Sequence, residues 1–176
     1  NAFVTPYIAD GQLQYNQKLT PMTPMYYVNK YSLQEGQINL SSPVYLRLAE
    51  MYLIRAEAYA KTGNTNASLA DINVLRARAG LKGAELISSQ SLQESGQSLL
   101  DAVLEERFLE LAFEGHRAYD LYRNNKAMER NYPVTHSLSN TPTTNVLQKI
   151  LPTDNRVVFY IPQAEINRNN KLLQNP

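Results

Sequence analysis

The chain has 176 residues, of which 43% are hydrophobic, and it contains no cysteine and no tryptophan. This content is enough for a folded core and excludes a disulfide-stapled scaffold, while the lack of cysteine excludes thiolate zinc sites, iron–sulfur clusters and cysteine nucleophiles. The 17 basic residues nearly balance the 16 acidic ones, which argues against a nucleic-acid binder, because such a domain would carry a basic patch.

Residues 1–42 are polar, rich in tyrosine and interrupted by proline. Pro21 and Pro24 prevent a continuous helix, so this segment is predicted to form extended stretches and turns. Three of its tyrosines, Tyr26, Tyr27 and Tyr31, are candidate ligand contacts, because a tyrosine ring stacks on a sugar while its hydroxyl forms hydrogen bonds. The alternative is that they are ordinary, partly buried tyrosines.

A strong helical pattern follows, with Ser42 predicted as its cap and Pro43 in its first turn. Apolar residues then recur at three- and four-residue spacing, at Leu46, Ala49, Leu53, Ala56 and Ala60. A second series, Tyr45, Tyr52 and Tyr59, is spaced by seven and is predicted to pack in the core. Gly63 is predicted to end this helix.

A second helix is predicted from about Asn66 to Ala79, ended by Gly80. The face predicted to be buried consists of Ala67, Ala70, Val74 and Ala77. Small residues and a glycine turn between two helices are typical of a tetratricopeptide-like hairpin. Because only one copy is visible, an ordinary helical hairpin is the alternative.

Residues 82–97 are predicted to form a loop with a short helical turn at 91–94. Ser98 and Asp101 then form a capping-box pattern, and a long helix is predicted to run to about Arg123. Its apolar stripe comprises Leu104, Phe108, Leu111, Ala118 and Tyr122. Beyond it, residues 124–155 read as a loop, Val157–Ile161 as a strand, and the residues after Pro162 as a short helical turn.

The densest charge pattern places Glu106, Glu110 and Glu114 four residues apart on one predicted helical face. One hypothesis is that Glu110 and Glu114 form a glycosidase carboxylate pair. The favoured interpretation is an ion-pair ladder, because Arg107, Arg117 and Arg123 each lie three residues from a carboxylate. Such pairing lowers the pKa of a carboxyl group, whereas a general acid needs a raised pKa.

No catalytic, metal-binding or cofactor-binding residue is predicted. The residue three positions before His116 is Phe113 and not a glutamate, so the Glu-x-x-His pattern of a di-iron helix is missing. His136 has no partner nearby in the sequence. The chain also lacks a phosphate-binding glycine loop, a Gly-x-Ser-x-Gly elbow and a His-Glu-x-x-His motif.

Four separated segments, taken together, resemble the SusD/RagB family over about residues 30 to 176. They are Tyr45-Leu46-Arg47-Leu48-Ala49-Glu50 continuing to Ala58, Ile72 to Gly80, Glu106 to Leu121, and Ile161-Pro162 with Gln174-Asn175-Pro176. The resemblance implies a mainly α-helical scaffold with a tetratricopeptide-like hairpin, long loops and little β-structure. It divides the chain into a loop-rich lead-in (1–42), a helical core (43–123) and a loop, short strand and tail (124–176), expected to be the C-terminal portion of a longer protein.

The same resemblance implies a non-enzymatic lipoprotein on the outer face of the outer membrane. Such a protein binds glycans and delivers them to a SusC-type TonB-dependent transporter, and its lipid anchor would lie upstream of this chain. The alternative is a helical scaffold that caps the transporter and carries a peptide or other non-glycan cargo. The charged residues of the shared motif are expected to be structural: Arg47, Glu50, Glu57, Arg107, Glu110, Glu114, Arg117 and Asp120.

Overall fold

A computed structural model of the protein describes residues 4–6, 8–16, 23–31, 34–37, 40–129 and 149–175. The fold is mainly helical, and the chain divides into two units, Asn1–Arg117 and Ala118–Pro176. The helices are α1 (Leu48–Lys61), α2 (Thr65–Arg78), α3 (Ser89–Ser95), α4 (Leu99–Glu110), α5 (Arg117–Tyr122) and α6 (Gln163–Arg168). Within the described residues, no helix has the length and apolar character needed to cross a membrane.

The first helix starts later than the sequence predicts. Ser42 does not cap it, because α1 begins at Leu48 and the residue before it, Arg47, is extended with φ −150° and ψ 152°. The segment before α1 stays non-helical, and the backbone N–H of Ser42 donates to the side chain of Gln34 at 2.8 Å. As a result Tyr45 and Leu46, both expected in the core, are 83% and 80% exposed.

The turn between α1 and α2 forms as predicted. Gly63 adopts a left-handed conformation with φ 78°, which glycine takes without steric cost. Asn64 then caps α2 by accepting a hydrogen bond from the backbone of Ala67. The two helices approach closely enough for the buried hydroxyl of Ser68 to donate to the carbonyl of Ala56 at 2.8 Å.

The predicted buried face of α2 is wrong. Ala70, Val74 and Ala77 are exposed, and α2 instead buries the adjacent face. That face carries larger side chains, so its burial removes more apolar surface from water than the alanine face would. Its buried members are Ser68, Leu69, Asp71, Ile72 and Leu75.

Three apolar clusters hold the helical body together. The first joins α1, α2 and the residue after α4, through Ala49, Leu53, Leu75 and Leu111, with Tyr52 packed against it. The second and third continue along α2 and α4 through Ala56, Ile72 and Val103 and through Leu69, Leu92 and Ala102. Leu92 belongs to α3, so the segment predicted as a mere turn is a helix that covers one end of the core.

The long helix predicted after Ser98 is two helices. Ser98 caps α4 as predicted, since its side chain accepts from the backbone of Asp101. However, α4 ends at Glu110, and a turn with left-handed backbone at Phe113 (φ 68°) and Gly115 (φ 82°) separates it from α5. Phe108, predicted to belong to the apolar stripe, is 49% exposed.

Short antiparallel strand pairs form the lead-in of the first unit, in agreement with the predicted extended stretches. They are β1 (Val4–Pro6) with β6 (Tyr26–Val28), β2 (Ile8–Ala9) with β3 (Gln12–Leu13), and β4 (Tyr15–Asn16) with β5 (Thr23–Pro24). In the first pair, Pro6 lies opposite Tyr26 and Thr5 opposite Tyr27. Pro21 lies outside the described residues.

The second unit contains the last residues of α5, the strand pair β7 (Met128–Glu129) and β8 (Lys149–Ile150), and α6. The strand predicted at Val157–Ile161 does not form, and a short 3₁₀ turn occupies Asn155–Val157. Side chains replace the missing strand partner: Gln174 bonds both the N–H and the carbonyl of Ile161, at 2.7 and 3.0 Å, and Asn175 donates to the carbonyl of Phe159 at 2.7 Å. His136 lies outside the described residues.

Candidate functional site

Two basic side chains from distant parts of the sequence close the C-terminal end of α4. The ammonium group of Lys30 donates to the carbonyls of Glu110 (3.1 Å) and Ala112 (2.8 Å), and Nη2 of Arg47 donates to the carbonyl of Glu110 at 2.5 Å. The last carbonyls of a helix lack intrahelical partners and carry partial negative charge, so cations stabilise them. In a continuing helix the carbonyl of Glu110 would accept from the N–H of Glu114, which here donates to the carbonyl of Leu111. This explains why α4 stops at Glu110.

The carboxylates of Glu110 and Glu114 are bound by the same cations. Arg47 forms ion pairs with both carboxylates, and its Nη2 lies 2.8 Å from Oε1 of Glu114. Lys30 also pairs with Glu114, and Nη2 of Arg78 donates to both oxygens of Glu110 at 2.6 Å. The Glu114 side chain is only 2% exposed, so its pairs with Lys30 and Arg47 are largely shielded from water. Together they connect the lead-in, α2 and the residues that follow α4.

A second ion pair between α2 and α4, in addition to that of Arg78 with Glu110, lies one turn earlier on α4. Nη1 of Arg76 donates to Glu106 at 2.8 Å, and the same guanidinium donates twice to the carbonyl of Glu85. Both side chains of this pair are largely buried. Arg76 therefore fixes α4 and the segment after α2 at one point.

The carboxyl groups of this network have pKa values shifted in opposite directions. Burial raises the pKa of Glu110, but hydrogen bonds from Arg47 and Arg78 lower it by more, and the pKa ends below its ordinary value. Burial likewise raises the pKa of Glu114, and Arg47 and Lys30 bring it below the ordinary value. For Glu106 burial outweighs the bond from Arg76, so its pKa is raised.

These observations do not favour the glycosidase hypothesis. Glu110 is the last residue of α4 and Glu114 follows the break, so the two carboxylates are not successive positions on one helical face. Both are held ionised by cations, whereas a general acid must keep its proton near neutral pH. In the described residues, no group of three or more histidine, aspartate or glutamate side chains is arranged to hold a metal ion.

The predicted intrahelical ladder takes a different form. Asp120 and Arg123 pair at 2.7 Å as predicted. Glu114, however, binds Lys30 and Arg47, while Arg117 donates to the carbonyl of Leu104 at 3.1 Å and lies over the ring of Phe108.

The other charged motif residues also make contacts within their units. Glu57 pairs with Lys61 at 3.0 Å, and Glu50 lies 3.7 Å from Nδ1 of His116. Arg107 is buried, with 3% exposure.

An open cleft of about 340 Å³ borders this network. One wall is the extended segment before α1, and the other is the turn after α4. The lining residues are Tyr31, Ser41, Pro43, Val44, Tyr45, Phe113, Glu114 and His116. A hydrogen bond holds the turn in place, because the hydroxyl of Tyr31 donates to the carbonyl of Phe113 at 2.9 Å.

The three tyrosines predicted as ligand contacts are not brought together. Tyr31 lines the cleft, whereas Tyr26 and Tyr27 lie on β6 and are 57% and 48% exposed. As consecutive strand residues, Tyr26 and Tyr27 point to opposite faces of the strand pair. Sequence reasoning missed Tyr45 and Phe113 as cleft residues. Pro43, two residues before Tyr45, and Gly115, two residues after Phe113, are the available signals that their helical patterns are interrupted.

Three comparisons place the chain among known proteins. Residues 6–176 match the sequence profile of the SusD family. Over 96 residues, 52% of this chain, it is 33% identical to the SusD-like protein P38 of Formosa agariphila.

Solved structures give the same result. A protein of Bacteroides vulgatus that is provisionally described as sugar-binding is 28% identical, with a TM-score of 0.68 over 93% of this chain. A SusD superfamily protein of Bacteroides thetaiotaomicron is 32% identical, with a TM-score of 0.63 over 86% of this chain. The chain spans 34% and 31% of the lengths of these two structures, and its match to the Formosa protein covers 18% of that protein.

Proposed function

Because this chain belongs to the SusD family, we propose that the protein carrying it binds a glycan at the cell surface and passes it to a SusC-type TonB-dependent transporter. The observation that carries this proposal is the family match over residues 6–176, supported by the Bacteroides vulgatus relative that is provisionally described as sugar-binding. In this proposal the protein is held on the outer face of the outer membrane by a lipid anchor, and it releases its ligand chemically unchanged.

In this proposal, the contacts within the chain separate structural residues from ligand-binding residues. The charged motif residues serve as scaffold, because Arg47, Glu110 and Glu114 are mostly buried and bind one another across elements. Tyr26, Tyr27 and Tyr31 are proposed ligand contacts, and Tyr31 is the one that borders a cleft.

The test of this function is binding of the full-length protein to a broad panel of oligosaccharides, first on a glycan array and then by calorimetry. We expect saturable binding to at least one class of glycan, with the sugar recovered intact afterwards. Failure to bind any member of the panel would contradict glycan binding, and hydrolysis that is lost in Glu110→Gln would contradict the non-enzymatic assignment.

A second candidate function is a helical scaffold that caps the transporter and carries a peptide or other cargo. The exposed apolar side chains on α1 favour it, since Leu48 is 71% and Ile54 48% exposed. Met51, which lies three residues from each of them, is 43% exposed, and a continuous apolar strip of this kind is typical of a surface that contacts another protein. Co-purification with the transporter, combined with no affinity for any sugar, would favour this second candidate over the first.

A further inference from the structure

The open cleft between the segment before α1 and the turn after α4 has the volume and the mixed polar and apolar lining of a small-ligand site. Its volume of about 340 Å³ lies at the lower end of the ~300–1,000 Å³ that is typical of such sites. That size suits a single ring better than an extended chain. Ser41, Tyr31 and His116 supply polar groups among apolar neighbours, the combination that orients a small polar ligand.

Two aromatic rings stand at this cleft although neither contributes to the core. Tyr45 is 83% exposed and Phe113 is 55% exposed, and neither belongs to an apolar cluster of the helical body. An exposed aromatic ring presents a flat apolar face, and a tyrosine adds a hydroxyl at its edge. This is the chemistry that binds a sugar ring, whose C–H face is apolar and whose edge carries hydroxyl groups.

The backbone at Phe113 gives a second, independent observation. Phe113 has φ 68°, a left-handed conformation that is strained for a bulky side chain. Such strain persists where the surrounding contacts enforce it, and it is concentrated at functional sites. Here the enforcing contacts are those of Tyr31 with the Phe113 carbonyl and of Lys30 with the Ala112 carbonyl, and the result is that the Phe113 ring lines the cleft.

The charges around the cleft indicate which class of sugar it suits. Among the described residues, each of the three cations of the adjoining network, Lys30, Arg47 and Arg78, is already paired with the carboxylate of Glu110 or Glu114. The carboxylate of Glu114, which lines the cleft, is already bound by two cations. An anionic sugar would therefore meet no unpaired cation of this network, whereas a neutral sugar needs none.

From these observations we infer that the cleft binds one neutral pyranose ring of the glycan, stacked against Tyr45 and Phe113. This inference rests on the proposed function, because it assigns the site within a glycan-binding protein. Tyr45 and Phe113 would then contact the sugar, although the sequence pattern predicts that both residues belong to helices.

The test is calorimetric binding by the full-length protein of the neutral oligosaccharide that a screen identifies, using the variants Tyr45→Ala and Phe113→Gly. Glycine accepts the left-handed conformation at position 113, so this substitution removes the ring and spares the backbone. Each variant is expected to raise Kd about tenfold, which is the scale of one lost aromatic stacking contact. Phe113→Tyr keeps the ring and should bind like the unsubstituted protein.

Tyr160→Ala and Phe159→Ala are the matched controls, because these two aromatic residues are 68% and 84% exposed and lie in the other unit. They should leave Kd unchanged, and all variants should stay folded and unfold cooperatively on heating. Unchanged glycan affinity in Tyr45→Ala and Phe113→Gly would overturn the inference and leave the proposed function intact. Preference for acidic over neutral sugars would also overturn it, and a protein that binds no glycan at all would overturn both.

Discussion

At its N-terminus α4 is capped by Ser98, the residue immediately before the helix, whereas at its C-terminus it is closed by Lys30 and Arg47, which lie 80 and 63 residues away in the sequence. The first end uses two hydrogen bonds between near neighbours at the protein surface: the Ser98 hydroxyl accepts from the backbone of Asp101 at 3.1 Å and donates to its carboxylate at 2.7 Å. The second uses charged donors, buried carboxylates and carbonyl groups together. The comparison shows that two ends of one helix can differ in both the range and the strength of the contacts that define them.

The largest expected effect is that of Arg47→Met, which keeps the length of the side chain but removes its charge. Breaking a buried ion pair and leaving its partners uncompensated costs about 3–5 kcal/mol. Here Glu110 and Glu114 each lose one partner and keep another, Arg78 and Lys30 respectively, so we expect a loss at the lower end of this range in the free energy of unfolding of the full-length protein, measured with denaturant. Hydrogen exchange should accelerate at residues 107–116 and not at the first turn of α4.

Arg156→Met is the matched control for this substitution. Arg156 pairs with Asp154 in the second unit, where its side chain is 55% exposed, and an exposed pair contributes little to stability. A similar loss of stability in both variants would show that the ion pairs at the C-terminal end of α4 contribute no more than an exposed pair.

A smaller effect, about 2 kcal/mol at neutral pH, is expected for Glu110→Gln, which removes charge-assisted hydrogen bonds and keeps the shape of the side chain. The pKa of Glu110 is lower in the folded protein than its ordinary value of 4.5. Its contribution to stability is therefore present above that value and is lost as the pH falls through the folded pKa. The difference in unfolding free energy between the two proteins should shrink as the pH is lowered below 4.5.

Glu106→Gln should show the opposite pH dependence. Burial raises the pKa of Glu106 above its ordinary value, so its favourable contribution is present at low pH and is lost as the pH rises through the folded pKa. The glutamine variant should therefore gain stability relative to the unsubstituted protein as the pH rises. The same pH profile in both variants would contradict the assignment of opposite shifts.

The smallest effect is expected at the other end of the helix. Ser98→Ala removes the cap of α4 and should cost about 1 kcal/mol. Hydrogen exchange should accelerate in the first turn, near Asp101, while the amides around Glu114 keep their protection. Ser98→Thr, which retains a capping hydroxyl, should restore most of the loss, and failure to do so would indicate that Ser98 acts in some other way.

The same contrast explains what could be predicted from the sequence. The turn at Gly63, the cap at Ser98 and the existence of α1, α2 and α4 depend on neighbouring residues, and they were predicted, although α1 begins five residues after Pro43. The end of α4 was missed because Lys30 and Arg47 take its carbonyl groups, and no local pattern reveals a donor at that separation.

The other errors have the same physical origin. Tyr45 has the seven-residue spacing that predicts a helical core position, but it lies outside α1 because Arg47 remains extended and the helix begins at Leu48. Val157–Ile161 has the composition of a strand, but the amides of Gln174 and Asn175 take the hydrogen bonds that a neighbouring strand would form. The cleft was not predictable for a related reason, since Tyr31, Tyr45 and Phe113 come from three separate segments.

The contact between Lys30 and the carbonyl of Ala112 also has a consequence for the order of folding. It closes a loop of about 80 residues, and a contact at such a separation is entropically costly until the intervening chain is ordered. The α1–α2 hairpin, whose contacts are local, should therefore form early during refolding, and the walls of the cleft should assemble last. A nascent chain would accordingly acquire a helical body before it acquires the cleft.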